Sequence, residues 1–308
     1  MRLLPALLFT FAILAQETPH IKADAGLVNI AFTARDARGR LVTDLTRDEI
    51  EVLEDGVLQP IRSFASPSDL PLRLALILDG AYNQELFNIQ HRADLTSFAE
   101  HTLSQKDQAI LVLFANRIVF ATPFVTSPRA LVSGFEAADN DNRSIWARDR
   151  TEFGLRVEGR ALFDAVYDTA QKKMMEPGFR KALVVFSNGD DTASAHDLIE
   201  AIEAAQAANS IIYGFHYTTR GPFAPNTRDR YGRMEMFRLA EETGGLVYDS
   251  ARTPLATALA AISVELRSVY DLGYATVNAG RDGTYRRIEL RCKRPDIVIR
   301  SRHGYHAR

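Results

Sequence analysis

The stretch that most constrains the fold is Leu-Arg-Leu-Ala-Leu-Ile-Leu-Asp at residues 72–79, an almost unbroken apolar run ending on a carboxylate. A strand with one wet face alternates apolar and polar residues, whereas a strand covered on both faces does not. A second run of this kind, Lys-Ala-Leu-Val-Val-Phe-Ser, occupies residues 181–187, and Ser-Ile-Ile-Tyr-Gly-Phe-His-Tyr follows at 210–217. Between these runs the apolar residues fall at helical spacing: Leu86, Ile89, Leu95, Phe98 and Leu103, then residues 161–175, then the Ala-rich 195–209. Further helices are expected over 234–243 and 254–268, with a short strand, Leu-Val-Tyr-Asp, between them. Buried strands alternating with helices predict a doubly wound, mostly parallel sheet of six strands over residues 72–268. One antiparallel edge strand (117–124) should return from a turn at Asn116-Arg117.

The flanks read differently. Residues 27–35 alternate apolar and polar, and Asp55-Gly56 marks a hairpin turn. From Tyr270 the period-two pattern resumes through 270–276, 284–294 and 296–302. Neither flank alone holds enough strands for a stable sheet. The α/β unit is therefore expected to be inserted between a segment at 16–71 and one at 269–308, with 26–65 and 269–306 pairing into a small β domain.

At the N-terminus, Arg2 precedes an apolar run from Leu3 to Ala15. A bilayer span needs about 20 residues. The run is too short for that and suits an export signal over residues 1–15, which implies a periplasmic or extracellular mature chain. No later segment reads as membrane-spanning. Lys and Arg number 37 against 39 Asp and Glu, so charge points to neither nucleic acid nor an anionic membrane surface. The lone Cys292 leaves no intramolecular disulfide and, alternating with Ile288 and Leu290, reads as a small buried hydrophobe.

Several stretches together resemble a von Willebrand factor type A domain, and more closely a VWFA-related family of exported bacterial proteins: residues 45–64, 74–80, 159–168, 180–191, 239–249, 265–274 and 282–307. The resemblance implies the doubly wound sheet with a metal-ion-dependent adhesion site on its rim, where hydroxyls and a carboxylate hold Mg²⁺ and leave one position for a partner's acidic group. This sequence departs from that pattern. Asp79 matches the first Asp, but Ala81 and Asn83 replace two serines, Arg160 replaces a Thr, and Asn188 replaces an Asp. A guanidinium cannot ligate a cation. The expectation is a degenerate, metal-free site with Arg160 lying against Asp79, and with Asn83 and Asn188 supplying neutral hydrogen bonds. No cofactor is expected; the alternative is a weak Mg²⁺ site at Asp79 and Asn83.

The resemblance further implies a non-enzymatic binding or adhesion module for a protein or surface polymer of the cell envelope. Two polar loops, 138–159 and 217–232, exceed structural need. They hold the only Trp, Trp146, together with Arg228 and Tyr231, residue types that dominate interface hot spots. With Asp190 and Asp191 these are the candidate partner contacts. The rival reading is a hydrolase, which lacks a phosphate loop, a metalloprotease motif or a nucleophile elbow in this sequence.

Overall fold

The computed structural model describes residues 27–67, 70–80, 92–134, 136–137, 159–217, 227–278 and 280–308. The first flank holds β1 (Leu27–Arg35), β2 (Ile50–Glu54), β3 (Val57–Gln59) and β4 (Ile61–Ala65). Then come β5 (Leu72–Asp79), α1 (Arg92–Thr102), β6 (Gln108–Phe114), β7 (Ile118–Phe120) and α2 (Leu162–Lys173). The α/β unit closes with β8 (Arg180–Ser187), α3 (Leu198–Ala207), β9 (Ser210–His216), α4 (Thr227–Glu241), β10 (Val247–Asp249) and α5 (Leu255–Leu266). The second flank holds β11 (Tyr270–Ala275), β12 (Tyr285–Cys292), β13 (Val298–Ser301) and β14 (Gly304–His306).

The six-stranded sheet has the order β10-β9-β8-β5-β6-β7. Every pair is parallel except β6 with β7, the edge hairpin. All residues of β5 and β8 are buried, and the reason is visible in the two cores. Leu74, Leu76 and Leu78 pack with Leu95 and Phe98 of α1 and Leu259 and Ile262 of α5. Ala75 and Ile77 face the other way, toward Val166 of α2, Ala201 of α3 and Leu239 of α4. A side-chain period of two with both faces covered leaves the middle of each strand, 74–78 and 182–186, apolar throughout.

Both flanks contribute to two further sheets, β13-β1-β11-β4 and β14-β12-β2-β3. Ile30, Phe32, Val52, Leu272, Tyr274 and Ile288 fill the space between them, with half-buried Cys292 against their edge. The Asp55-Gly56 turn joins β2 to β3 with both residues at positive φ, 49° and 81°. That is the backbone a two-residue hairpin requires, and glycine adopts it without strain.

Some elements differ in extent from expectation: the edge strand expected over 117–124 spans only Ile118–Phe120. Helix α4 starts at Thr227, inside the segment expected to be a polar loop, rather than at 234. Its buried apolar side chains Met236, Leu239 and Ala240 lie in its second half, so the first two turns carry no apolar periodicity. They are ordered by backbone contact instead. A Cβ on Gly232 would lie 2.7 Å from the Asn188 carbonyl oxygen, and one on Gly189 (φ +81°) would lie 1.9 Å from that of Gly232.

Candidate functional site

Ligand crevices of doubly wound sheets lie outside the carboxyl ends of the strands. At that rim β5 delivers Asp79, wholly buried, and β8 delivers Ser187 and Asn188. The Ser187 hydroxyl donates to Asp79 Oδ2 at 3.1 Å and accepts from the Gly189 N–H at 3.0 Å.

Arg160 enters from the segment before α2. Its backbone is clamped: Arg160 N donates to Thr192 Oγ1 at 3.1 Å, and its carbonyl accepts from Thr192 N and Ala193 N at 2.9 and 3.0 Å. Ala161 N donates to the Ala115 carbonyl at 2.8 Å, which ties the segment to the end of β6. The guanidinium is thereby aimed at two carboxylates. Nε lies 3.7 Å from Asp79 Oδ2, and Nη1 donates to Asp190 Oδ2 at 3.1 Å. The side chains of Arg160 and Asp190 are only 10% and 12% exposed. Two acids thus share one permanent cation at a nearly dry rim.

Asn188 bonds to Asp190 rather than directly to Asp79: its Nδ2 donates to Asp190 Oδ2 at 3.3 Å, and its Oδ1 accepts from Asp190 N at 3.1 Å. His216 Nε2 lies 3.0 Å from the Asn188 carbonyl, which can only accept, so the proton sits on Nε2. Burial pushes the His216 pKa down and favours this neutral ring.

The loop after β8 is locked to the start of α2 in both directions. Asp191 Oδ2 accepts from Phe163 N at 2.9 Å and from Ser194 Oγ at 2.5 Å, and Ser194 Oγ accepts from Asp164 N at 3.0 Å. Asp164 in turn accepts from the Ala195 and His196 N–H groups, both at 2.9 Å, and from His196 Nδ1 at 2.7 Å. Burial acts to raise the Asp164 pKa, but these donors outweigh it and hold the carboxyl below its ordinary value. The His196 ring stacks on Tyr167, centroids 3.7 Å apart.

Asp190 and Asp191, both partly exposed, thus each engage donors within the protein. Tyr231 does project, 59% exposed on α4, with Met234 (56%) and Phe237 (41%) at spacings of three. Arg228 lies on the same helix. Ala81, Asn83 and Trp146 lie outside the described residues. The sequence reading missed Ser187, although it directly precedes Asn188 at a strand end. It also missed Glu235. Burial, then repulsion from Asp191 and Asp190, pushes this carboxyl up to about 7.

The resemblance implies Mg²⁺ here, and a small hard cation needs an octahedron of oxygens. Beside Asp79 stand the Ser187 hydroxyl at 3.1 Å and the Arg160 guanidinium at 3.7 Å, and a guanidinium cannot ligate a cation. Among the described residues no cluster of three or more His, Cys, Asp or Glu side chains is placed to hold a metal.

No protein-family profile and no curated relative matches the sequence. Solved structures similar to it include an aerotolerance-related membrane protein from Bacteroides fragilis, at 14% identity and TM-score 0.44, covering 63% of this chain and 98% of that one. A von Willebrand factor type A structure from Catenulispora acidiphila is similar at 11% identity and TM-score 0.46, covering 94% of this chain and 65% of that one. Proximal thread matrix protein 1 from the mussel byssus, with a zinc-occupied MIDAS motif, is similar at 12% identity and TM-score 0.43, covering 64% and 48%. These similarities concern fold alone. The strand order and the helices on both faces make the α/β unit a doubly wound sheet, the fold that the sequence resemblance implies.

Proposed function

Taking the α/β unit as a von Willebrand factor type A-like domain, we propose that the chain is an exported, non-enzymatic module that binds a protein or surface polymer of the cell envelope. The contact runs over the carboxyl-end rim of the sheet, and Arg160 stands in for the metal ion. The observation that carries this reading is the guanidinium held between Asp79 at 3.7 Å and Asp190 at 3.1 Å. A divalent cation beside Asp79 would face a fixed positive charge in a poorly hydrated pocket, where like charges repel strongly. The arginine gives the carboxylates the compensation that a metal would otherwise supply.

Arrangements around the rim favour binding over chemistry. Asp164 and His196 form the acid–imidazole half of a nucleophilic triad, but the nearby Ser194 hydroxyl donates to Asp191, not to the imidazole. A nucleophile must be within hydrogen-bond reach of its base. The exposed side of α4, with Tyr231, Met234 and Phe237 beside the rim, supplies aromatic and Met surface of the type found at interface centres.

Calorimetry with Mg²⁺ and Mn²⁺ at millimolar concentration tests the metal-free reading, with no saturable heat expected. Capture of partners from an envelope fraction should be unchanged by EDTA. Tight Mg²⁺ binding lost in Asp79→Ala would establish the metal-dependent alternative. Fractionation of cells making the full chain tests export: the mature protein should leave the cytoplasm with residues 1–15 removed.

A further inference from the structure

Away from the rim, a cleft of about 470 Å³ opens where α2 and α3 meet β1 and the C-terminal strand. Its size falls within the range of small-molecule sites. Arg302 forms part of its wall. The residue is 8% exposed, and its Nη2 donates to the Asn29 carbonyl at 2.7 Å. Its Nε is buried with no hydrogen-bond partner among the described residues. The Tyr305 ring lies 5.6 Å from its guanidinium carbon. No carboxylate of the described residues pairs with it, unlike the buried Arg286, which meets Glu54 at 3.4 Å. A buried cation without a counter-ion is costly, and buried charges are ordinarily paired.

The carboxylates that share the cleft face groups other than Arg302. Glu203 Oε2 meets Arg308 at 2.6 Å, its Oε1 lies 2.9 Å from His306 Nδ1 without a hydrogen bond, and Glu200 accepts from the Asp197 N–H at 2.9 Å. The remaining wall includes the Tyr167 side chain, Gln171 and the exposed Ala207.

We propose that this cleft binds a small organic monocarboxylate, its carboxyl group on the Arg302 guanidinium and its apolar body along the walls of α2 and α3. The guanidinium fork matches a carboxylate in shape and charge. A single negative charge neutralises Arg302, whereas a dianion such as phosphate would carry surplus charge toward Glu200 and Glu203. The amide of Gln171 adds one neutral donor and acceptor on the cleft wall. This site is separate from the rim and does not depend on the function proposed there.

Thermal unfolding of the full chain with sodium isovalerate and sodium benzoate tests the proposal. Isovaleramide, benzamide and sodium phosphate at matched ionic strength serve as controls. The carboxylates should raise Tm saturably, by about 3 °C at tenfold over Kd, and the amides and phosphate should not. The rise should vanish in Arg302→Gln and in Ala207→Trp. The second variant places bulk at an exposed wall position and leaves every contact of Arg302 intact, so it reads the cleft even where Arg302→Gln fails to fold. The proposal is overturned if neither acid gives a saturable rise, if phosphate equals the acids, or if the rise persists in Ala207→Trp.

Discussion

Removing only the guanidinium at the rim tests how the site is built. In Arg160→Met the side-chain volume is largely kept, while Asp79, wholly buried, and Asp190, 12% exposed, lose their shared cation. Breaking a buried pair by deleting one partner costs about 3–5 kcal/mol, because a charge stays behind uncompensated. Here the lower end applies. The contact to Asp79 is 3.7 Å rather than a short hydrogen bond, and Asp79 keeps the Ser187 hydroxyl at 3.1 Å. About 3 kcal/mol corresponds to a fall in Tm of about 6–12 °C for a domain of this size. The loss should depend on pH: in the variant the stranded carboxylates bind a proton in the folded state, so the deficit is largest at pH 7 and shrinks toward pH 4. Asp79→Asn, placed in the Arg160→Met background, should recover most of it. Urea unfolding followed by circular dichroism at pH 7 and pH 4.5 measures all of these quantities. A loss below about 1 kcal/mol, independent of pH and unrelieved by Asp79→Asn, would show that Arg160 does not compensate Asp79.

At the junction of the α/β unit and β11, burial pushes Asp271 up to about 6, against Arg180 at 3.9 Å and the Asn209 amide at 2.8 Å. Its folded pKa is above the unfolded one, so its stabilising contribution is full below about pH 4 and fades as pH rises through 6, by about 3 kcal/mol. Asp271→Asn should flatten the pH dependence of urea stability across that window, and an unchanged slope would refute the assignment. Gly189→Ala adds a Cβ 1.9 Å from the Gly232 carbonyl oxygen at φ +81° and should destabilise the protein by about 2–3 kcal/mol. The same variant should speed proteolysis within α4, and protection equal to wild type would mean that this helix is held by other contacts. Deleting residues 270–308 removes the partners of β1, β4 and β2, leaving open strand edges that should aggregate. A soluble, cooperatively folding truncation would sink the idea that the flanks need each other.

Much of the architecture is written in local pattern. Continuous apolar runs such as 72–79 announce strands covered on both faces, and Asp55-Gly56 announces a hairpin, because periodicity and turn chemistry act over a few residues. The permanent charge of Arg160 is likewise plain in the sequence, since a guanidinium carries it in any fold. The spatial order is another matter. β5 sits between β8 and β6, and nothing in any of these runs states which neighbour it takes. The same long-range pairing brings the 190–194 loop onto the start of α2, which makes Asp190 the second acid on Arg160 and sets Asp191 to accept from a first-turn N–H of α2. It also begins α4 at Thr227, where a glycine-to-glycine backbone contact replaces the apolar periodicity that a sequence reading relies on. Hydrophobic pattern and side-chain charge are properties of the local chain, whereas a carboxylate's partner depends on which distant segment the closing core brings beside it.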